Sequence, residues 1–101
     1  MSMRFVVAAR ASLDLDAIIR YVLENSGPRR AELVADRLCD AFRRLADSPF
    51  LGHRRADVTQ GPVLFYRVWS YLIVYRASEA ALEVLRVVHA ARNMSALLEE
   101  L

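Results

Sequence analysis

The stretch Pro28-Arg29-Arg30-Ala31-Glu32-Leu33-Val34-Ala35-Asp36-Arg37-Leu38-Cys39-Asp40-Ala41-Phe42-Arg43-Arg44-Leu45 decides how the rest of the chain must be arranged. Within it Ala31, Val34, Ala35, Leu38, Ala41, Phe42 and Leu45 recur every three or four residues, the spacing that lines one face of an α-helix. Pro28 suits a first helical position, where its missing N–H is not needed. Arg30, Glu32, Asp36, Arg37, Asp40, Arg43, Arg44 and Asp47 fall on the opposite side, several at spacings that allow opposite-charge pairs, and read as a solvated face. Upstream, Leu15, Ile18, Ile19 and Val22 predict an earlier helix over residues 13–25, with Ser12 as its cap and Asp14 and Asp16 favouring its start. Asn25-Ser26-Gly27-Pro28 ends it. Two helices joined so closely lie antiparallel and need a flat apolar surface to cover.

That surface comes from short segments rich in β-branched and aromatic residues. Residues 3–9 read as a first strand, and residues 63–69, 71–76 and 82–89 as three more whose short separators imply an antiparallel meander. A loop fills residues 49–61 between the breaks at Ser48-Pro49 and Gly61-Pro62. Asn93 is placed to cap a short final helix with Met94, Leu97, Leu98 and Leu101 on its apolar side. The expected fold is α+β: an N-terminal strand, an α-helical hairpin packed on one face of a mainly antiparallel sheet completed by three C-terminal strands, and a short C-terminal helix. The other sheet face is expected to be free. Alternation along the strands puts Arg67 on one face with Phe65 and Trp69, and Arg86 on one with Val84 and Val88.

With 101 residues the chain reads as one domain over 1–101. No uninterrupted apolar run is long enough to span a bilayer, and residues 1–10 show no convincing secretory signal, so a cytoplasmic protein is expected. Cys39 is the single cysteine; that excludes an internal disulfide, and its apolar neighbours suggest a buried site. All fourteen basic residues are Arg. Guanidinium groups suit carboxylates, phosphates and stacked bases, but none can serve as a base at cellular pH. From Arg54 to Arg92 six Arg face three acids, an excess of +3 against a chain total of +2, which suits an acidic partner.

Three segments taken together carry a family resemblance. They are Leu45-Ala46-Asp47-Ser48-Pro49-Phe50-Leu51-Gly52-His53-Arg54-Arg55, then Tyr71-Leu72-Ile73-Val74-Tyr75-Arg76, then Leu85-Arg86-Val87-Val88-His89-Ala90-Ala91-Arg92-Asn93. A helix ending in Pro, a Gly followed by basic residues, a Tyr-Leu-Ile-x-Tyr-Arg strand and an Arg-Val-x-His-x-x-Arg strand end resemble the RelE/ParE toxin superfamily, and its ParE branch more closely. Leu15, Ile18 and Tyr21 extend the likeness into the first helix. The resemblance implies a toxin of a type II toxin–antitoxin system, neutralised by a cognate antitoxin that folds on binding and alone reaches operator DNA. ParE members poison DNA gyrase; RelE members cleave mRNA in the ribosome.

Fold alone does not choose between these branches. Cutting RNA needs a base, a cation for the phosphate and an acid for the leaving oxygen. With lysine missing, an endoribonuclease reading must use His53, Arg54, Arg67, Arg86 and His89. A binding reading assigns the target to Arg54, Arg55, Arg67, Arg76, Arg86, His89 and Arg92. For both Arg67 and Arg86, replacement by Ala is expected to weaken toxicity more than folding. His53 beside two cations would stay neutral, but a loop histidine there is also an ordinary solvated residue. His89 reads as orienting the strand end. Tyr66, Tyr71 and Tyr75 read as sheet packing with exposed hydroxyls. The apolar residues Leu15, Ile18, Ile19, Val34, Leu38 and Phe42 are the candidates for meeting the antitoxin. Neither a metal nor a cofactor is expected: the two His and one Cys have no ligand spacing, and three Gly form no phosphate cradle. The missing lysine cluster and the His-x-x-Arg strand end favour a gyrase inhibitor, with a ribosome-dependent endoribonuclease as the alternative and an inactive relative that only binds an antitoxin as a third reading.

Overall fold

The computed structural model describes residues 3–59 and 61–91. Strand β1 (Phe5–Val7) leads into helices α1 (Ala9–Ser26) and α2 (Pro28–Asp47), followed by strands β2 (Leu64–Val68), β3 (Tyr71–Ala77) and β4 (Leu82–His89). The sheet order is β1-β4-β3-β2, with β1 parallel to β4 and the other pairs antiparallel, so the α+β hairpin-on-sheet architecture is the one the sequence implies. The expected C-terminal helix from Asn93 (Met94, Leu97, Leu98, Leu101) and the candidate Arg92 lie outside the described residues. Among the described residues no helix is long and apolar enough to cross a membrane.

Helix α2 follows its pattern closely. Ala31, Val34, Leu38, Ala41, Phe42 and Leu45 are buried against the sheet. Cys39 is exposed instead of buried, because it lies about 100° round the helix from Leu38 and so falls off the apolar face. Between the helices, Gly27 has φ of 87°, a left-handed value that glycine adopts without a steric penalty, and its N–H closes α1 onto the Leu23 carbonyl. Helix α1 begins at Ala9, four residues earlier than expected, with Ala8 as a cap that makes no side-chain bond. Ala9, Arg10 and Ala11 are strong helix formers, and Ala11 is fully buried, so propensity and packing outweigh the cap that Ser12 offers. Strand β1 is correspondingly short.

Two corrections concern the sheet. Its second face is not free: Val63, Phe65, Leu72, Val74 and Val88 form a separate core there, with Val58 and Leu85 packed against it. The segment after α2 folds back over this face, and His53 pairs with Phe65 as a one-residue extension of the sheet. Second, the β3–β4 register slips between Val74 and Tyr75, opposite Arg86 and Val84, so Leu85 is an extra residue in β4. Alternation breaks at that bulge. Val84 and Val87 both join the core under the helices while Val88 faces the opposite side, so Arg86 cannot share one face with both Val84 and Val88.

Candidate functional site

Among the described residues the edge of β4 has no partner strand beyond Val84, since β1 pairs only with Leu82, Glu83 and Val84. Asp14, on α1, fills that gap. Its carboxylate accepts from Arg86 Nε at 2.7 Å, Arg86 Nη2 at 3.1 Å and the Val87 N–H at 3.0 Å. The side chains of Arg86 and Asp14 are only 11% and 13% exposed. Arg86 therefore spends its fork of donors on an internal carboxylate.

The remaining candidates are spread along the molecule. His53 is exposed and exchanges main-chain hydrogen bonds with Phe65, both 2.8 Å. Arg54 is exposed. Arg55 donates to Asp57 at 2.8 Å; that hydrogen bond holds the Asp57 carboxyl below its usual range and raises Arg55. Arg76 pairs with Glu83 at 2.7 Å. The His89 ring meets Tyr71 edge-on at 5.8 Å, and its Nδ1 accepts from the Ala91 N–H at 3.3 Å. Arg67 is exposed on β2 and donates to the Trp69 carbonyl at 2.7 Å. Strand β3 separates Arg67 from Arg86, so their strand axes stand about 10 Å apart.

The structure assembles instead a groove of about 480 Å³ between α2 and β2. Ala41, Tyr66 and Val68 line it, with Leu33 and Trp69 beside them and Arg37, Arg44, Arg67, Asp36 and Asp40 at its charged margin. Thus part of the helix face read as merely solvated is one wall of a groove. Trp69 closes one end at the tip of the two-residue β2–β3 turn, with φ of 55°, a strained value for so large a residue. The Arg30 and Arg37 guanidinium carbons lie 5.0 and 4.8 Å from the centre of its ring and hold it against α2. The sequence pattern reads Arg30, Arg37 and Arg44 as a solvated helix face and Trp69 as a strand neighbour of Arg67, not as one site, because only the fold brings the turn onto the helix.

Of the apolar residues expected to meet an antitoxin, Val34, Leu38 and Phe42 are 3%, 1% and 1% exposed and are core residues. Leu15, Ile18 and Ile19 are partly buried against the same core. Burial corrects the first three: they cannot form an outer surface while the hairpin stays on the sheet.

Tyr75 departs from expectation too. Its hydroxyl is not exposed; it donates to the Pro49 carbonyl at 2.7 Å and accepts from the Gly52 N–H at 2.9 Å, and burial raises its pKa. The phenol pins both ends of the segment that follows α2. A Cβ at position 52 would sit 2.5 Å from that hydroxyl and 2.9 Å from the Phe65 carbonyl, which is why a glycine precedes His53.

The family model for the ParE toxin of type II toxin-antitoxin systems, parDE, matches residues 5–94. The chain belongs to the ParE toxin family. Toxin ParE3 of Caulobacter vibrioides is 30% identical over 93 residues, covering 92% of each chain. A solved structure of the chromosomal ParDE toxin–antitoxin system of P. aeruginosa shares the fold with a TM-score of 0.71 at 21% identity, over 87% of this chain and 96% of that one. The protein is thus a ParE-type toxin, and an antitoxin is its partner.

Proposed function

We propose that this toxin acts in the cytoplasm as one domain that grips a protein target, DNA gyrase, rather than by cutting mRNA. The observation that carries this reading is the dispersal of the residues an endoribonuclease would need. His53 and Arg67 belong to one edge of the sheet, Arg86 and His89 to β4, with β3 between them, and Arg86 is held by Asp14. General acid–base work requires groups within hydrogen-bond reach of one reacting centre. A binding surface has no such requirement. Of the residues assigned to the target, Arg54, Arg67 and Arg76 keep exposed side chains, whereas Arg86 supports the fold.

The antitoxin takes the α2–β2 groove. Its apolar lining and mixed charges suit a segment that folds on binding, with an apolar stripe toward Ala41, Tyr66 and Val68 and carboxylates toward Arg37, Arg44 and Arg67. Purified toxin is expected to block gyrase supercoiling at stoichiometric concentrations and to leave mRNA uncut by primer extension on translating ribosomes. Cuts in the message with supercoiling intact would reverse the assignment.

A further inference from the structure

The most exposed large apolar side chain described is Phe50, at 84%, and it does not sit on a loose loop. Tyr75 ties Pro49 on one side of it and Gly52 on the other, and His53 is locked to Phe65 by two main-chain hydrogen bonds. Between these clamps Phe50 and Leu51 are held out, Leu51 at 36% exposure. An aromatic ring presented from a rigid loop loses little conformational freedom on binding, the property that favours binding hot spots. Just beyond it, Arg54 is exposed and makes no ion pair among the described residues, whereas Arg55 is neutralised by Asp57. The loop leaves α2 at its C-terminal end, and neither Phe50 nor Leu51 lines the groove that Trp69 closes.

We propose that Phe50, with Leu51, is the apolar anchor by which the toxin seats on its target protein, in an apolar pocket whose acidic rim meets Arg54. The proposal rests on the reading that the toxin works by gripping a protein, but it does not depend on that protein being gyrase. Charge sets the partner's rim and the ring sets its floor. A pocket of this chemistry favours a folded protein over a nucleic acid, whose phosphates would engage Arg54 without needing the ring.

Phe50→Ala and Phe50→Leu, made in the full chain and induced in cells, test this, with the purified variants titrated against the cognate antitoxin. Because the ring is exposed, both variants should melt with the wild type. Phe50→Ala should need about thirtyfold more toxin for the same growth arrest, the change that corresponds to the roughly 2 kcal/mol of a buried aromatic anchor. Phe50→Leu should recover part of it, and antitoxin affinity should stay within about twofold for both. Unchanged growth arrest by Phe50→Ala overturns the proposal; so does a parallel loss of antitoxin affinity, which would place Phe50 under the antitoxin. Weaker binding of Phe50→Ala to a labelled single-stranded RNA or duplex DNA would make the partner a nucleic acid and also overturn it. If wild-type toxin arrests growth without touching supercoiling, the gyrase assignment fails while the Phe50 comparison still decides the anchor.

Discussion

The pair between Asp14 and Arg86 permits a quantitative test, because it joins residues 72 positions apart and almost excludes water. Arg86→Ala leaves a nearly buried carboxylate held by the Val87 N–H. Breaking one side of a fully buried ion pair costs about 3–5 kcal/mol, and the residual exposure here trims that to roughly 2–4 kcal/mol. Asp14→Ala should cost a similar amount, since it takes the shared carboxylate from both the guanidinium and the Val87 amide. The double variant strands only the amide of this trio, at about 1–2 kcal/mol, so the two changes should couple by about 3–6 kcal/mol. In a domain of this size each kcal/mol moves the melting temperature by about 4–8 °C, so Arg86→Ala should melt roughly 10–25 °C lower. Urea and thermal unfolding of the four proteins of the cycle, followed by circular dichroism, provide the measurement. Coupling below about 0.5 kcal/mol, the additivity of unconnected sites, would refute the reasoning. The same pair revises the sequence-based expectation for toxicity. Loss of activity in Arg86→Ala should track loss of folded protein, and activity per folded molecule should persist.

Tyr75→Phe removes the hydroxyl that clamps the loop and should cost about 1–3 kcal/mol, with faster amide exchange at Gly52 as its local signature. Since burial raises the Tyr75 pKa above the ordinary value of about 10, its contribution is complete below that pH and is lost as pH rises through the folded-state value. The alkaline fall in wild-type stability should therefore be shallower in Tyr75→Phe. Trp69→Gly relieves a strained φ worth about 1–2 kcal/mol but loses two Arg contacts worth about 0.5–1 kcal/mol each and the burial of a ring that is only 39% exposed, so it should melt somewhat below the wild type while remaining folded. Its affinity for the antitoxin should nonetheless drop at least about tenfold, measured by calorimetry, because the wall of the groove is gone.

The hairpin of helices was legible because α2 obeys one rule along its whole length: its apolar positions repeat at the helical period, and they are the positions the sheet buries. The three later strands were legible from β-branched runs and short turns, and the family from motifs spread over the chain. The start of α1 was not, because Ser12 is a good cap locally and only the burial of Ala11 shows why the helix begins earlier. Nor was the Leu85 bulge, since nothing in Val84-Leu85-Arg86-Val87 distinguishes an inserted residue from an ordinary one; alternation then put Arg86 on a valine face it does not share. For the site, sequence named the basic residues but not their partners. The sequence marks Asp14 only as a residue that favours a helix start, whereas its pairing with Arg86 and Val87 depends on how far β1 reaches along β4. The α2–β2 groove and the Tyr75 clamp are likewise contacts between distant segments.

How the two edges of the sheet are treated locates where a partner can add to it. On one side β1 covers the first half of β4, and beyond it the Asp14 carboxylate takes the Val87 N–H that a longer strand would have taken. On the other side, Phe65 exchanges both main-chain bonds with His53. Two residues on, Arg67 turns its own N–H and carbonyl to that same side, with no backbone partner among the described residues, and borders the groove. An antitoxin segment entering the groove can therefore extend the sheet at Arg67, whereas the β4 edge is already capped in the free toxin. Amide hydrogen exchange distinguishes the two edges: Arg67 should exchange quickly in free toxin and slow by at least about tenfold with antitoxin bound, while Val87 should be protected in both. Rapid exchange at Arg67 in the complex would mean that the antitoxin bypasses this edge, and the groove would then hold side chains alone.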